Sequence, residues 1–120
     1  YTLVNALPTG APHTISPAAD FRKLRTLDDA QHDDLLTARQ GEKPMRIVYP
    51  AWNTELHFLA DPIFSHWLMF APQGKSFFAL EPQTNTNDGF NLCAQGVDAA
   101  GVFVLEPGET RDGECRLRLK

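Results

Sequence analysis

The 120-residue sequence holds only two cysteines, Cys93 and Cys115. They are too few and too far apart for a disulfide scaffold or a zinc site, and both are expected as reduced, partly buried thiols. No apolar run approaches the length of a membrane-spanning helix, so no membrane partner is expected. Basic residues are in deficit: 11 Lys and Arg against 15 Asp and Glu leave a net charge of −4. Nucleic acid needs a strong basic field and is disfavoured as a partner, whereas a small neutral ligand fits this balance. Repeats and low-complexity segments are missing. The chain starts at Tyr1 with no charged-then-apolar leader. A leader on a preceding portion stays open, as does the compartment, with a lean toward the cytoplasm.

Nine prolines and eight glycines supply ample punctuation, and the length suits one domain with a modest core. Tyr1 to Ala19 reads as a strand end followed by an extended loop. Asp20 to Arg39 reads as loop with a turn or two; its aspartates at 28, 29, 33 and 34 suit a short helix N-terminus. From residue 45 the pattern changes to strands: Met45–Tyr49, Thr54–Ala60, Ile63–Ala71, Ser76–Leu80, Val102–Leu105 and Cys115–Leu119. The run Ile63–Ala71 is apolar on both parities, as in a strand covered on both faces. Short strands at this spacing predict a mainly β fold, an antiparallel sandwich, with residues 1–44 mostly loop and 45–120 strands. A sandwich needs two apolar sheets, and five or six short strands are few for closing both layers. The chain is therefore expected to be one part of a larger domain, completed by an upstream segment, a companion chain or self-association, with Ile63–Ala71 as the strand most in need of cover.

The run Phe77-Phe78-Ala79-Leu80-Glu81-Pro82-Gln83-Thr84-Asn85 is the most unusual local feature. A carboxylate closes an aromatic, apolar strand and is followed by amide and hydroxyl side chains. Partial burial beside Phe77 and Phe78 would disfavour its charge and make Glu81 a better base. The groups that follow, Gln83, Thr84, Asn85, Asn87, Asp88 and Asn91, are the kind that hold hydroxyl-rich ligands. Taken alone, the same pattern also describes a solvent-facing glutamate before a polar turn.

Three stretches carry a family likeness in order: Glu81-Pro82-Gln83-Thr84, Asp88-Gly89-Phe90-Asn91, and Leu105-Glu106-Pro107-Gly108-Glu109. With Asp20-Phe21-Arg22 and Asp33-Asp34-Leu35-Leu36 upstream, the sequence from Asp20 to Lys120 resembles the closing part of aldose 1-epimerases (galactose mutarotases). The resemblance implies a large antiparallel β-sandwich that interconverts the α and β anomers of a free aldose of the galactose or glucose class, without metal or organic cofactor. Glu81 matches the catalytic base, Asp33 an aspartate that binds sugar hydroxyls, and Asp61-Pro62 falls near a polar-Pro substrate contact; Gln83 and Asn91 are further substrate-binding candidates. Two departures stand out. Position 89 is glycine where alanine is usual, a mild change, and the family's catalytic histidines and a substrate-binding arginine have no counterpart here. His13, His32, His57 and His66 match none of its histidine motifs, so the acid must come from an upstream segment. The alternative is a non-catalytic carbohydrate-binding or regulatory β-sandwich. His66 and Trp67 are expected in structural roles, Trp52 equally in packing or on a sugar face. The acidic cluster lacks the spacing and glycine of a calcium loop, and Gln73-Gly74-Lys75 is a turn.

Overall fold

A computed structural model describes residues 1–27 and 30–120, so Asp28 and Asp29 of the acidic cluster lie outside the described residues. Among the described residues, eight strands form three antiparallel sheets. A two-stranded ribbon pairs β1 (Leu3–Val4) with β2 (Leu7–Pro8). The second sheet has the order β3-β6-β7, from His32–Leu36, His66–Ala71 and Ala79–Gln83. The third has the order β4-β5-β8, from Met45–Tyr49, Thr54–Ala60 and Cys115–Leu119. One short helix, α1 (Gly89–Ala94), follows β7, and three 3-10 turns complete the described elements. No helix among the described residues is long and apolar enough to cross a membrane.

Strands β4, β5 and β8 occupy the expected ranges, because alternation and flanking prolines or turns bound them unambiguously. Elsewhere tertiary pairing overrides the local pattern. His32–Leu36, expected as loop, is a strand whose five residues pair with Trp67–Ala71; that neighbour, not its own polar composition, extends it. Strand β6 begins only at His66, since Ile63 to Ser65 belong to the turn in which Phe64 N–H donates to Asp61 O. Strand β7 lies three residues later than Ser76–Leu80 and runs through Pro82. It is an edge strand, where a proline's missing N–H is tolerated. Val102–Leu105 forms no strand: it finds no ladder partner, and Phe103 instead lies under Arg111, 4.5 Å from ring centroid to guanidinium. Asp88 stands at the N-cap of α1, and Gly89–Asn91 form the start of that helix.

Register assigns each strand two faces. On the second sheet, Leu36, Trp67, Met69, Ala71 and Leu80 share one face, and Trp67 and Met69 are buried. Trp67 meets Phe58 of β5 edge-on at 5.3 Å, which joins this face to the third sheet. The opposite face carries Asp33, Leu35, His66, Leu68, Phe70, Glu81 and Gln83. On the third sheet, Met45, Ile47, Leu56, Phe58, Leu117 and Leu119 share one face and Arg46, His57, Arg116 and Arg118 the other.

The core is small. Leu35, His66 and Thr86 are the largest fully buried side chains, and two of these three are polar. The radius of gyration, 15.5 Å, exceeds the roughly 13.6 Å of a compact domain of this length. Cover is missing in a different place from the one expected. β6 is the central strand of its sheet, with His66, Trp67, Met69 and Ala71 buried. All five residues of β8 are exposed, with Leu117 at 61% and Leu119 at 74% despite their apolar character. Both cysteines are exposed free thiols rather than partly buried ones.

Candidate functional site

Glu81 sits in the middle of β7, opposite Leu68, not at a strand end. It is exposed, as is Phe77, so the apolar burial expected around the carboxylate is absent. Its Oε2 accepts a long bond of 3.4 Å from Gln83 Nε2. Asp33, on β3, is on the same face but two strands over, across β6, where it lies opposite Phe70. Strand spacing and rise place the two Cα atoms about 12 Å apart, wide enough to flank a small ligand but too far for direct contact.

Gln83 leads from Glu81 to a depression of about 650 Å³ between the end of β7 and α1. Its wall includes Gln83, Asn85, Thr86, Asn87, Asn91 and the exposed ring of Phe90. Side-chain hydrogen bonds fix this wall: Asn85 Nδ2 donates to Thr86 O at 2.8 Å, Asn87 Nδ2 to Ala6 O at 2.7 Å, and Asn91 Nδ2 to Asp88 Oδ1. Two buried polar atoms of this wall have no partner among the described residues. They are Gln83 Oε1 and the Thr86 hydroxyl, the latter on a side chain only 1% exposed. A buried acceptor and a buried hydroxyl without partners cost stability and are suited to a hydroxylated ligand.

Gly89 is part of this wall, and its identity matters more than the sequence suggested. A Cβ there would stand 2.7 Å from Asn85 Nδ2 and 3.1 Å from Val102 Cγ2. Alanine at 89 therefore displaces the Asn85 amide from its bond to Thr86 O. Asp61 lies elsewhere: its Oδ2 accepts from Glu114 N–H at 2.9 Å, and its own N–H donates to Glu114 O. This carboxylate ties the end of β5 to β8 and is not part of the amide-lined wall.

The histidines do not supply an acid beside Glu81. His66 shares its face, opposite Gln83, but is buried with both ring nitrogens engaged. Nε2 donates to Ala99 O at 3.1 Å, and the Ser65 hydroxyl lies 2.9 Å from both Nδ1 and Thr84 O. Burial pushes the His66 pKa below its ordinary value, with the Ala99 carbonyl partly opposing. His66 is thus buried and hydrogen-bonded within the fold, and Trp67 is likewise buried. Trp52 is exposed and stacks on Tyr49 at 5.3 Å, on the third sheet. His57 is held by Glu55 and His13 by Thr2.

Sequence reasoning passed over His32. It is buried with Nδ1 2.8 Å from Asp34 Oδ2, Phe21 edge-on at 5.2 Å, and Nε2 without a partner among the described residues. His32 and Asp34 face away from Glu81, on the opposite side of the sheet. The two-residue spacing was the only signal in the sequence, and it becomes informative once β3 is a strand. No group of three or more His, Cys, Asp or Glu side chains positioned for a metal occurs among the described residues. No family model matches the chain, and no solved structure matches it significantly.

Proposed function

We propose that this chain is the base-bearing part of an aldose 1-epimerase-like isomerase, in which a galactose mutarotase-like β-sandwich is completed by strands from another segment or chain. The reading rests on one observation above the others. Asp33, Glu81 and Gln83 share a sheet face, and Gln83 continues it into an amide-lined depression with an idle buried hydroxyl. Glu81 takes the proton of the anomeric hydroxyl, the pyranose ring opens, and an acid protonates the ring oxygen; reclosure on the other face gives the second anomer. Asp33, Gln83, Thr86 and Asn91 hold the remaining hydroxyls, and Phe90 offers apolar area to the ring C–H groups. The exposed position of Glu81 is consistent with a base whose surroundings are finished by the completing strands.

The test is an amide NMR titration of the 120-residue chain with galactose and glucose. Shifts centred on Gln83, Thr86 and Asn91 are expected, and shifts elsewhere or none at saturating sugar would overturn the site. In the completed enzyme, Glu81→Gln keeps the shape and removes the base, at a cost on the order of 100-fold in rate. A second reading, a non-catalytic carbohydrate-binding sandwich, is favoured by the absence of a free histidine nitrogen on the Glu81 face among the described residues. Under that reading the sugar shifts persist and Glu81→Gln leaves turnover of the completed assembly unchanged.

A further inference from the structure

Strand β8 has one ladder, and its other edge is open. Lys120 and Glu55 exchange both backbone hydrogen bonds, so residues 120, 118, 116 and 114 point their backbone groups inward to β5 and its end. Cys115, Leu117 and Leu119 therefore direct their N–H and C=O groups outward. Such an edge is a template for another strand.

The charges along it select which strand. Asp112-Gly113-Glu114-Cys115-Arg116-Leu117-Arg118 is antisymmetric about Cys115: acids lie one and three residues before it, arginines one and three after. From this edge we infer that a second copy of the chain pairs antiparallel along Asp112–Arg118, which continues β8 by three residues at its start, on a twofold axis at Cys115. In that register Glu114 opposes Arg116 of the second copy and Asp112 opposes Arg118, each twice by symmetry. Neighbouring registers fail. An axis at Leu117 sets Arg116 against Arg118, an axis at Arg116 sets that residue against itself, and an axis at Glu114 does the same for glutamate; like charges directly opposite destabilise a ladder.

Other features agree with this axis. Glu114 and Arg116 already form an exposed pair within one chain, and so can exchange partners across the axis. Arg118 makes no salt bridge among the described residues. The pairing extends the third sheet from three strands to six and continues the apolar face that bears Leu117. It also brings the two Cys115 residues together as a hydrogen-bonded pair, with Cα atoms about 5.5 Å apart, inside the range a disulfide can bridge.

The experiment uses sedimentation velocity and thiol cross-linking on the 120-residue chain. A reversible dimer is expected at low salt, and diamide should link Cys115 to Cys115 in a Cys93→Ser background far faster than Cys93 in a Cys115→Ser background. Glu114→Arg should weaken the dimer about tenfold or more, since two opposite-charge pairs become like-charge pairs. The double variant Glu114→Arg, Arg116→Glu restores the complementarity and should restore the dimer, which separates pairing from any loss of fold. A chain monomeric at all concentrations, a dimer insensitive to Glu114→Arg, or a charge swap that fails to rescue would each overturn the inference.

Discussion

Replacing Thr86 with valine removes one hydroxyl and keeps the branched shape. Every backbone polar group of Thr86 is occupied: its N–H donates to Ala100 O at 2.9 Å, and its carbonyl accepts from Gly89 N–H and Asn85 Nδ2. Only Oγ1 is idle, on a side chain 1% exposed. A buried hydroxyl without a partner costs about 1–3 kcal/mol, so valine should stabilise the ligand-free chain by about 1–2 kcal/mol. For a chain of this length that is a rise in Tm of about 3–8 °C. The same substitution removes a group that the proposed sugar site uses, so galactose should protect the variant less than it protects the parent. Differential scanning calorimetry with and without saturating galactose reads both effects in one series. Opposite signs, more stable alone and less protected by sugar, support the site. A variant destabilised by 1 kcal/mol or more would mean that Oγ1 is satisfied in the folded chain, and equal protection would remove it from the site.

Other substitutions probe the scaffold. Gly101 has φ +74°, and a Cβ there would lie 2.8 Å from both His66 Cε1 and Thr84 O; Gly101→Ala should cost about 2–4 kcal/mol by urea unfolding, and a loss under 1 kcal/mol would refute the tight packing. Leu35→Ala empties the most buried aliphatic position and should cost about 2–5 kcal/mol, provided β3 is the strand described. Gly89→Ala should move the Asn85 amide signals and weaken galactose binding, while Gly10→Ala, with open space at its Cβ and no positive φ, leaves them in place. Because burial lowers the His66 pKa, the unfolded chain binds its proton more tightly. Stability should be full above the ordinary histidine value of 6.5 and decline as pH falls below it, and a His66→Gln variant should lack that decline. Farther down, the Arg46 guanidinium holds Glu55 at about 2 and Arg22 holds Asp20 at about 2, so their exposed pairs should weaken only as pH falls from the ordinary carboxylate range toward 2, and less so in high salt.

Legibility from sequence followed the reach of each interaction. Met45–Tyr49 and Thr54–Ala60 are adjacent in the chain, alternate in polarity and pair with each other, so local pattern suffices for both. Residues 32–36 carry His-Asp-Asp, which by themselves favour a turn or helix start, and become a strand only because β6, more than thirty residues on, offers an edge. The strand expected to end at Leu80 runs on through Pro82, because edge position is a property of the sheet, not of the segment. The polar run after Glu81 was legible as a clustered polar surface, and Gln83 and Asn91 line one depression. The place of Asp61 was not legible, since its partner, Glu114, lies 53 residues away. Nor could composition reveal that Thr86 would be buried without a partner for its hydroxyl, since its backbone contact, to Ala100 O, lies beyond α1 in the chain.

The central claim, that Glu81 is a base for aldose ring opening, is tested most directly by polarimetry of freshly dissolved α-galactose. With no acid beside Glu81 in the described residues, the chain alone should accelerate mutarotation little. Imidazolium buffer supplies the missing acid and should produce an additional, saturable acceleration by the chain that is absent from Glu81→Gln. Equal rates for the two proteins in imidazolium, across the whole galactose range, would contradict the assignment.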